Sequence, residues 1–465
     1  MAALRLLPYL RQLGSIVLVG WLAVFSREAR GEDVEPVITY KGSGWMQGGL
    51  IEQSSDRVSN GTQNNFNKNW IENAGVQVAT VAKFGPAWEG AFGMGAIQTN
   101  NARGALDVAN NWYPFYATFV SEARLSYSAG NKDSHQLQLH IGYFNYIYNS
   151  DVRDLGAYLL RGLPYPGTLI SGFEIRHTTG AANIYGTAAR YSLGNFKNDL
   201  LLISETDHRP YFDASIADIV TWQATPALQI GGGVNLYRLL PRNRDVTSPG
   251  KDCDNNHNNY SQIDDIFGSN PEVCYVMDTL SRDTVAGTAV VDTVTGGMNG
   301  TKLMGRFRLD PKTLFGLGST FGKDDLVLYS EVAVLGLQNY PKYYTDIKRR
   351  IPVMVGFNFP AMGYLDKLSL EVEYFANKNY NDYGRAEAQN SWVPRRVPNG
   401  NVKRDDWKWA LYGSKLLMGH VKLSGQIADD HLRTYGAPDL GFLTFAEALT
   451  TPKDWYWMTK IAYFF

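Results

Sequence analysis

The sequence predicts an all-β fold, a closed antiparallel barrel of about 16 strands, on three observations. Short stretches of alternating apolar and polar residues recur along most of the 465 residues, separated by clusters of Gly, Pro, Asn and Asp. Tyr, Trp and Gly are abundant, at 28, 11 and 46 residues, although the mean hydropathy is only −0.26. The chain also ends on an alternating aromatic stretch, residues 454–465.

This composition is typical of strands that cross a lipid bilayer. Only alternate residues of such strands face lipid, aromatic residues gather at the two interfaces, and the interior stays polar. Beyond residues 15–25 the sequence contains no long uninterrupted apolar run, which argues against a bundle of membrane helices. The formal net charge of −1 gives no indication of a nucleic-acid partner.

The amino terminus has the features of a secretory signal peptide. Arg5 and Arg11 supply a basic start, and residues 15–25 form an apolar run too short to span a bilayer as a helix. Ala29-Arg30-Gly31 offers small residues for cleavage. We therefore expect residues 1–31 to be a signal peptide and residues 32–465 to form the barrel; the alternative is a single anchoring helix.

Alternation and breaker clusters place 16 candidate strands, an even number, as in single-chain bacterial barrels. The candidates are residues 37–46, 75–84, 88–98, 115–128, 134–148, 182–193, 199–205, 211–223, 228–239, 301–309, 326–337, 352–359, 367–376, 407–415, 420–428 and 454–465. The predicted ends of each strand carry errors of several residues, so totals of 14 or 18 strands remain alternatives.

Loop lengths support this count. Short connections fall at one barrel end and long ones at the other, where only residues 206–210 are short. The long connections are residues 49–74, 99–112, 149–181, 240–300, 338–351, 377–406 and 429–453. Short periplasmic turns and long extracellular loops are the asymmetry expected of membrane barrels.

Alternation also assigns the two faces of each strand. In residues 134–148, Leu137, Leu139 and Ile141 are expected to face lipid and His140 the interior. A charged side chain facing lipid near the bilayer midplane costs roughly 2–4 kcal/mol, so the charged rows are placed inside. The pore-lining candidates are Glu122, Arg124, His140, Lys302, Arg306, Arg308, Glu331, Glu371, Glu373, Lys408, Lys422 and Lys460.

A barrel of about 16 strands is too wide for its own side chains to fill. The inward charges therefore predict an aqueous pore for passive diffusion of small hydrophilic solutes or ions, selected by pore size and lumen charge. The alternative interpretation is that these groups pair across strands and only satisfy one another.

Residues 151–170 are unusual for a loop. The stretch from Asp151 to Gly162 predicts a capped helix that ends at the glycine, and its leucines would not be left in water. Two placements of this stretch are possible. It either folds into the barrel and narrows the interior, or packs on the outer rim or against other loops. The constriction candidates are Arg153, Asp154 and Arg161.

The last strand has a distinctive pattern. Phe465, Tyr463 and Ile461 lie in one apolar row, while Ala462 and Lys460 lie in the other. This end resembles the closing strand of Gram-negative outer-membrane β-barrel proteins. The resemblance implies a multi-pass barrel in the outer membrane, surrounded by lipid, with Ile461, Tyr463 and Phe465 read by the barrel assembly machinery. The alternative is a terminal edge strand of a soluble sheet, which would invite aggregation.

The overall layout is similar to that of general porins, in which the third loop folds into the barrel and narrows it. Residues 151–170 occupy the third long loop, but the acidic motif of that loop is not recognisable here. The resemblance is thus positional. It implies a channel for small hydrophilic solutes, and porin-like proteins are often homotrimers.

Cys253 and Cys274 are the only two cysteines and share one predicted loop, so we expect them to form a disulfide in an exported protein. The alternative is two reduced thiols. Residues 252–257 of the same loop lack the glycine of a calcium loop. Residues 316–323 miss the spacing of a phosphate loop. We therefore expect neither a metal nor a cofactor.

Enzyme signals are weak. The sequence lacks the usual hydrolase motifs, and only Asp207-His208 and Asp430-His431 near the loop rim hint at a hydrolase. We expect no enzymatic activity. The second function in rank is a non-transporting surface barrel whose long loops bind a partner or glycan, and a rim hydrolase ranks last.

Overall fold

The computed structural model of the chain consists almost entirely of β-strands. It describes residues 36–54, 57–59, 62–64, 66–100, 115–131, 135–161, 182–206, 212–240, 284–285, 288–289, 300–317, 321–337, 346–376, 405–432, 448–449 and 451–465. Sixteen strands, named β1 to β16, form one closed antiparallel sheet in which each strand pairs with its neighbours in the sequence. The predicted fold class and strand count are therefore confirmed.

The strands are β1 Val37–Gln53, β2 Asn69–Phe84, β3 Trp88–Asn100, β4 Phe115–Asn131, β5 His135–Tyr146, β6 Ala182–Leu193, β7 Phe196–Ser204, β8 Ala214–Thr225, β9 Leu228–Leu240, β10 Gly300–Leu309, β11 Leu328–Val334, β12 Val353–Asn358, β13 Lys367–Tyr374, β14 Trp407–Leu417, β15 Val421–Asp429 and β16 Trp455–Phe464.

The barrel closes between its first and last strands. β1 pairs antiparallel with β16, with Ser43 opposite Phe464. Past the end of β16, the backbones of Phe465 and Gly42 exchange two hydrogen bonds of 2.9 and 3.1 Å. Closure pairs the edge strands with each other, so the aromatic last strand has no free edge to aggregate.

The two ends of the barrel differ. The turn end, where β1 begins, carries the short connections; the longest of them contains a short helix, α1 Pro311–Phe315, whose N-cap Asp310 accepts a hydrogen bond from the Lys312 amide. The loop end carries the long connections. Their described parts include the strand pair Arg57–Ser59 and Thr62–Asn64, the pair Thr284–Val285 and Thr288–Ala289, and the 3₁₀ helix Ile347–Arg350.

Successive residues alternate between an apolar outer face and an inner face. In β10, Leu303 and Phe307 are exposed on the outside, whereas Lys302, Met304 and Arg306 are buried on the inside. This is the period of two that a strand imposes. An outer surface of exposed aliphatic and aromatic residues is suited to lipid and not to water.

Two apolar clusters occupy parts of the interior. The first surrounds Leu155, Tyr158 and Leu159 of the connection between β5 and β6. The second joins Leu432 and Leu449, from the connection between β15 and β16, to inward residues of β1, β2, β14, β15 and β16. Segments from the loop end thus fold into the barrel and bury apolar residues there.

Candidate functional site

The connection between β5 and β6 runs inside the barrel. Its described part, residues 147–161, is called here the inward segment. It makes hydrogen bonds to inward side chains of the opposite wall: Asn235 of β9, Lys302 of β10, Glu331 of β11, Glu371 of β13 and Tyr412 of β14. The segment therefore crosses the interior and lies against the inner face of β9 to β14.

Glu371 binds the backbone of the inward segment. Its Oε1 accepts a hydrogen bond from the Arg153 amide (2.7 Å), and its Oε2 accepts from the amides of Asp154 and Leu155 (both 2.8 Å). The Tyr329 hydroxyl also donates to Oε1 (2.9 Å). Because the residue is only 1% exposed, water cannot replace these donors. One wall carboxylate thus satisfies three consecutive backbone amides.

Two further glutamates of the wall hold the same segment. Oε1 of Glu331 accepts from the Tyr148 hydroxyl and the Tyr158 amide (both 2.7 Å), and its Oε2 accepts from Nδ2 of Asn149 (2.8 Å). Glu373 accepts from the Tyr158 hydroxyl (2.6 Å). Charged acceptors form stronger hydrogen bonds than neutral ones, so these contacts fix the position of the segment.

The inward segment is irregular, so the predicted helix is wrong. Gly156 and Ala157 have φ angles of 83° and 54°, in the left-handed region that interrupts an α-helix. The amides of Leu155 and Tyr158, which in a helix would donate to the carbonyls of Asp151 and Asp154, donate instead to Glu371 and Glu331. The wall carboxylates therefore replace the carbonyl acceptors of a helix.

Cations hold both ends of the inward segment. Nε of Arg308 donates to Oδ1 of Asp151 (3.1 Å), and Nζ of Lys367 donates to the Asp151 carbonyl (2.8 Å). At the other end, Nζ of Lys302 donates to the Arg161 carbonyl (3.2 Å). Both termini of the segment are thus bonded to strands β10 and β13.

Asp154 brings a second acid next to a carboxyl of the wall. Its side chain is buried and forms a hydrogen bond with Asp430, which follows β15. Burial, followed by the negative charge of Asp430, raises the pKa of Asp154 well above its ordinary value. A hydrogen bond between two carboxyl groups requires a proton, so this contact depends on pH.

An open cavity lies against another part of the inner wall. Its volume is about 650 Å³, and strands β16 and β1 to β6 surround it. Charged pairs line it: Lys41 with Glu122 (2.6 Å), and Arg124 with Glu89 (2.6 Å) and Glu122 (3.2 Å). The wall of this cavity is therefore charged but locally balanced.

Several predicted pore-lining residues face the interior but do not line open space. Lys302, Arg306, Glu331, Glu371, Glu373 and Lys408 are all buried. The inward segment covers the three glutamates and Lys302. Lys408 bonds to Asp405, to Asp429 (2.9 Å) and to the Leu449 carbonyl (3.1 Å). These candidates therefore lie on the inner face beneath other groups of the protein, which could not be located from strand alternation.

The other candidates are placed as follows. Glu122, Arg124 and His140 line the cavity, and His140 shares a hydrogen bond of 2.8 Å with Ser126. Arg308, Lys422 and Lys460 are partly exposed on the inner wall. Within the inward segment, the side chains of Arg153 and Asp154 point towards residues of the wall. Arg161 is the last described residue of the segment. Ile461, Tyr463 and Phe465 are exposed outside.

Some predictions fall outside the described residues. They concern the signal peptide, residues 1–31, the cysteines Cys253 and Cys274, and the pair Asp207-His208. Of the rim pair that is described, His431 donates to Glu373 (2.6 Å) and Asp430 accepts from the Tyr456 hydroxyl (2.7 Å). These two side chains are thus bonded to the inner wall.

Sequence reasoning missed Glu89 and Arg190, which also line the cavity. Both lie on predicted strands, at positions of the inward row, so the alternation of β3 and β6 was the signal that could have identified them. It also missed Gln138 as a cavity residue, although the predicted face of β5 was the right one.

Within the described part of the chain, no three His, Cys, Asp or Glu side chains are grouped so that they could hold a metal ion. None of the described helices is long and apolar enough to cross a membrane.

No protein-family model matches the chain, and no curated protein matches it. Among solved structures, it is similar to a double mutant of the porin from Rh. blastica, with 10% sequence identity and a TM-score of 0.42. It is also similar to a triple mutant of Rhodopseudomonas blastica porin, with 8% identity and a TM-score of 0.40. Each match covers 92% of this chain and 100% of the porin chain.

Proposed function

We propose that this chain is a porin-like channel of the outer membrane, through which small hydrophilic solutes or ions diffuse passively. The observation that carries this proposal is the charged cavity of about 650 Å³ inside a closed 16-strand barrel. A barrel of this size leaves room for water unless segments of the chain fill it. A charged, hydrated wall suits hydrophilic solutes.

The inward segment sets the size of the passage in this proposal. Its leucines share an apolar cluster with inward residues of β5 to β8 and of β10 to β12, whereas β16 and β1 to β6 line the open cavity. Solutes are then selected by the remaining width and by the charges of Lys41, Arg124 and Glu89. Transport of this kind involves no covalent chemistry.

The apolar outer face makes membrane lipid the partner of the barrel. We propose that the turn end faces the periplasm and the loop end the cell exterior. Ile461, Tyr463 and Phe465 lie exposed on the terminal strand, where the barrel assembly machinery would read them. A secretory signal at residues 1–31 fits the same route of export.

A second candidate is a surface barrel that does not conduct and binds a partner through its long loops. The observation that favours it is the pair of apolar clusters, which fill interior space with Leu159 and Leu449 and their neighbours. If the side chains of the two clusters were in contact across the lumen, the passage would be closed.

Swelling of liposomes in sugar solutions separates these candidates. Vesicles that contain the refolded protein are diluted into solutions of small neutral sugars, and the rate of swelling reports solute entry. Gln138→Trp places a large side chain in the cavity, whereas Ile141→Trp, three residues along β5, places it on the exposed outer face. We expect swelling by the wild type, slower swelling by Gln138→Trp and an unchanged rate for Ile141→Trp.

Vesicles that do not swell with wild-type protein favour the non-conducting barrel. Equal rates for both tryptophan variants would show that solutes do not pass through this cavity.

A further inference from the structure

A row of hydrogen-bond donors crosses four neighbouring strands on the inner wall. Gln47 of β1 lies opposite Asn73 of β2 on one side and opposite Lys460 of β16 on the other. Lys460 in turn lies opposite Ser424 of β15. Directly opposed residues of neighbouring antiparallel strands have side chains on the same face, about 5 Å apart. The four side chains therefore form a continuous polar row.

The amide groups of this row lack acceptors. Gln47 and Asn73 are 4% and 3% exposed, and among the described residues Nε2 of Gln47 and Nδ2 of Asn73 have no hydrogen-bond partner. Oδ1 of Asn73 accepts from the Trp45 indole (3.0 Å), which turns the Asn73 amide group and leaves its nitrogen unpaired. Buried donors without acceptors are unfavourable, and nearby negative charge compensates for them.

Two further cations surround Lys460. Lys422 lies opposite Ala462, two residues along the same face from Lys460. The guanidinium of Arg153 stacks 4.6 Å from the centre of the Tyr412 ring and donates to its hydroxyl (3.2 Å). Lys422 and Lys460 share one face of the wall, and the charges of Arg153 and Lys422 both act on the Lys460 ammonium.

The acids that act on Arg153 and Lys422 have other partners. Glu371 accepts the amides of the inward segment. Asp366, on which the charge of Lys422 acts, accepts from the Leu416 amide and pairs with Lys415 (3.1 Å). In the described part of the chain, no ion pair joins Arg153 or Lys422 to a carboxylate, and Nε of Arg153 has no hydrogen-bond partner.

We propose that Arg153, Lys422 and Lys460, with the donor row behind them, form a binding site for an oxyanion, the carboxylate or phosphate group of a solute. The site extends the proposed function, because a cationic site in the wall of a channel raises the local concentration of anions and favours their passage. The ammonium of Lys460 bonds the anion directly, and the buried amides of Gln47 and Asn73 direct their positive ends towards it.

Equilibrium dialysis of the refolded protein in detergent against labelled inorganic phosphate at low ionic strength tests the site without requiring conduction. We expect saturable binding that becomes about tenfold weaker in Lys460→Gln and is retained in Lys460→Arg. Lys348→Gln removes the same charge from an exposed position on the 3₁₀ helix of the loop end and should leave binding unchanged. The same four proteins are then tested in planar bilayers for their anion-to-cation permeability ratio.

The two measurements can contradict the oxyanion site and the channel independently of each other. Conduction without saturable phosphate binding, or equal loss of binding in Lys348→Gln and Lys460→Gln, overturns the oxyanion site and leaves the channel. Phosphate binding that depends on Lys460 in a protein that shows no current supports the site and contradicts the channel. A lower anion preference in Lys460→Gln alone supports both.

Discussion

At the scale of single residues, buried wall carboxylates determine where the inward segment lies. Glu371 accepts three consecutive amides, and no water can reach them if it is removed. We predict that Glu371→Gln, which replaces one acceptor oxygen by a donor, lowers the free energy of unfolding by about 3 kcal/mol. Urea unfolding of the refolded barrel measures this. Glu52→Gln, which removes a partly exposed acid that pairs with Lys68 at the loop end, is the control, and an equal loss there would contradict the assignment.

The carboxyl pair of Asp154 and Asp430 predicts a pH dependence. Because the folded state raises the pKa of Asp154, it binds the proton more tightly than the unfolded chain does. The stabilisation is therefore complete below the ordinary carboxyl pKa of about 3.9 and is lost as pH rises through the raised value. We expect Asp154→Asn to flatten this part of the stability profile, measured by urea unfolding across pH.

Asp346→Asn, at an exposed ion pair of the loop end, is the control for that profile. A wild-type profile with no fall in stability at rising pH, or the same fall in Asp154→Asn, would rule out the shared proton.

At the scale of elements, the backbone conformation of the inward segment restricts which residues fit in it. Gly156 has a φ of 83°, and a Cβ there would lie 2.5 Å from Cε of Met354 on β12. We predict that Gly156→Ala lowers the free energy of unfolding by about 2 kcal/mol, since strain and contact add. Gly194→Ala in the turn between β6 and β7 has a similar φ of 52° but open space around it. It should cost about half as much.

Thermal unfolding of the two glycine variants gives the comparison directly. Equal destabilisation by both would contradict this prediction and would mean that the Met354 side chain moves aside at no cost, leaving only backbone strain.

The elements also show how far sequence reasoning reaches. Alternation with a period of two is local, so the 16 strands and the inward row of β13 could be predicted from the residues themselves. The path of the inward segment depends on bonds between Asp154 and Glu371, 217 residues apart, and no local pattern contains them. The helical pattern from Asp151 to Gly162 was misleading because wall carboxylates take the amides of Leu155 and Tyr158, which a helix would bond to its own carbonyls.

At the scale of the whole molecule, the same distinction separates fold from site. Burial of Glu331, Glu371 and Glu373 turns predicted pore charges into anchors, whereas Arg124 and Glu122 keep open space beside them. The sequence could place all five on the inner face, but which of them meet water depends on where the inward segment packs. The cavity and the inward segment thus occupy different parts of the interior.

Single-channel conductance is the most direct test of a barrel whose passage is narrowed by its own loop. The wild type is compared in planar bilayers with a variant in which residues 151–161 are replaced by a Gly-Ser linker of equal length. We predict discrete current steps for the wild type and larger steps for the variant, because the segment no longer occupies the side of β9 to β14. Equal steps in both proteins, or no steps in the wild type, would contradict this account.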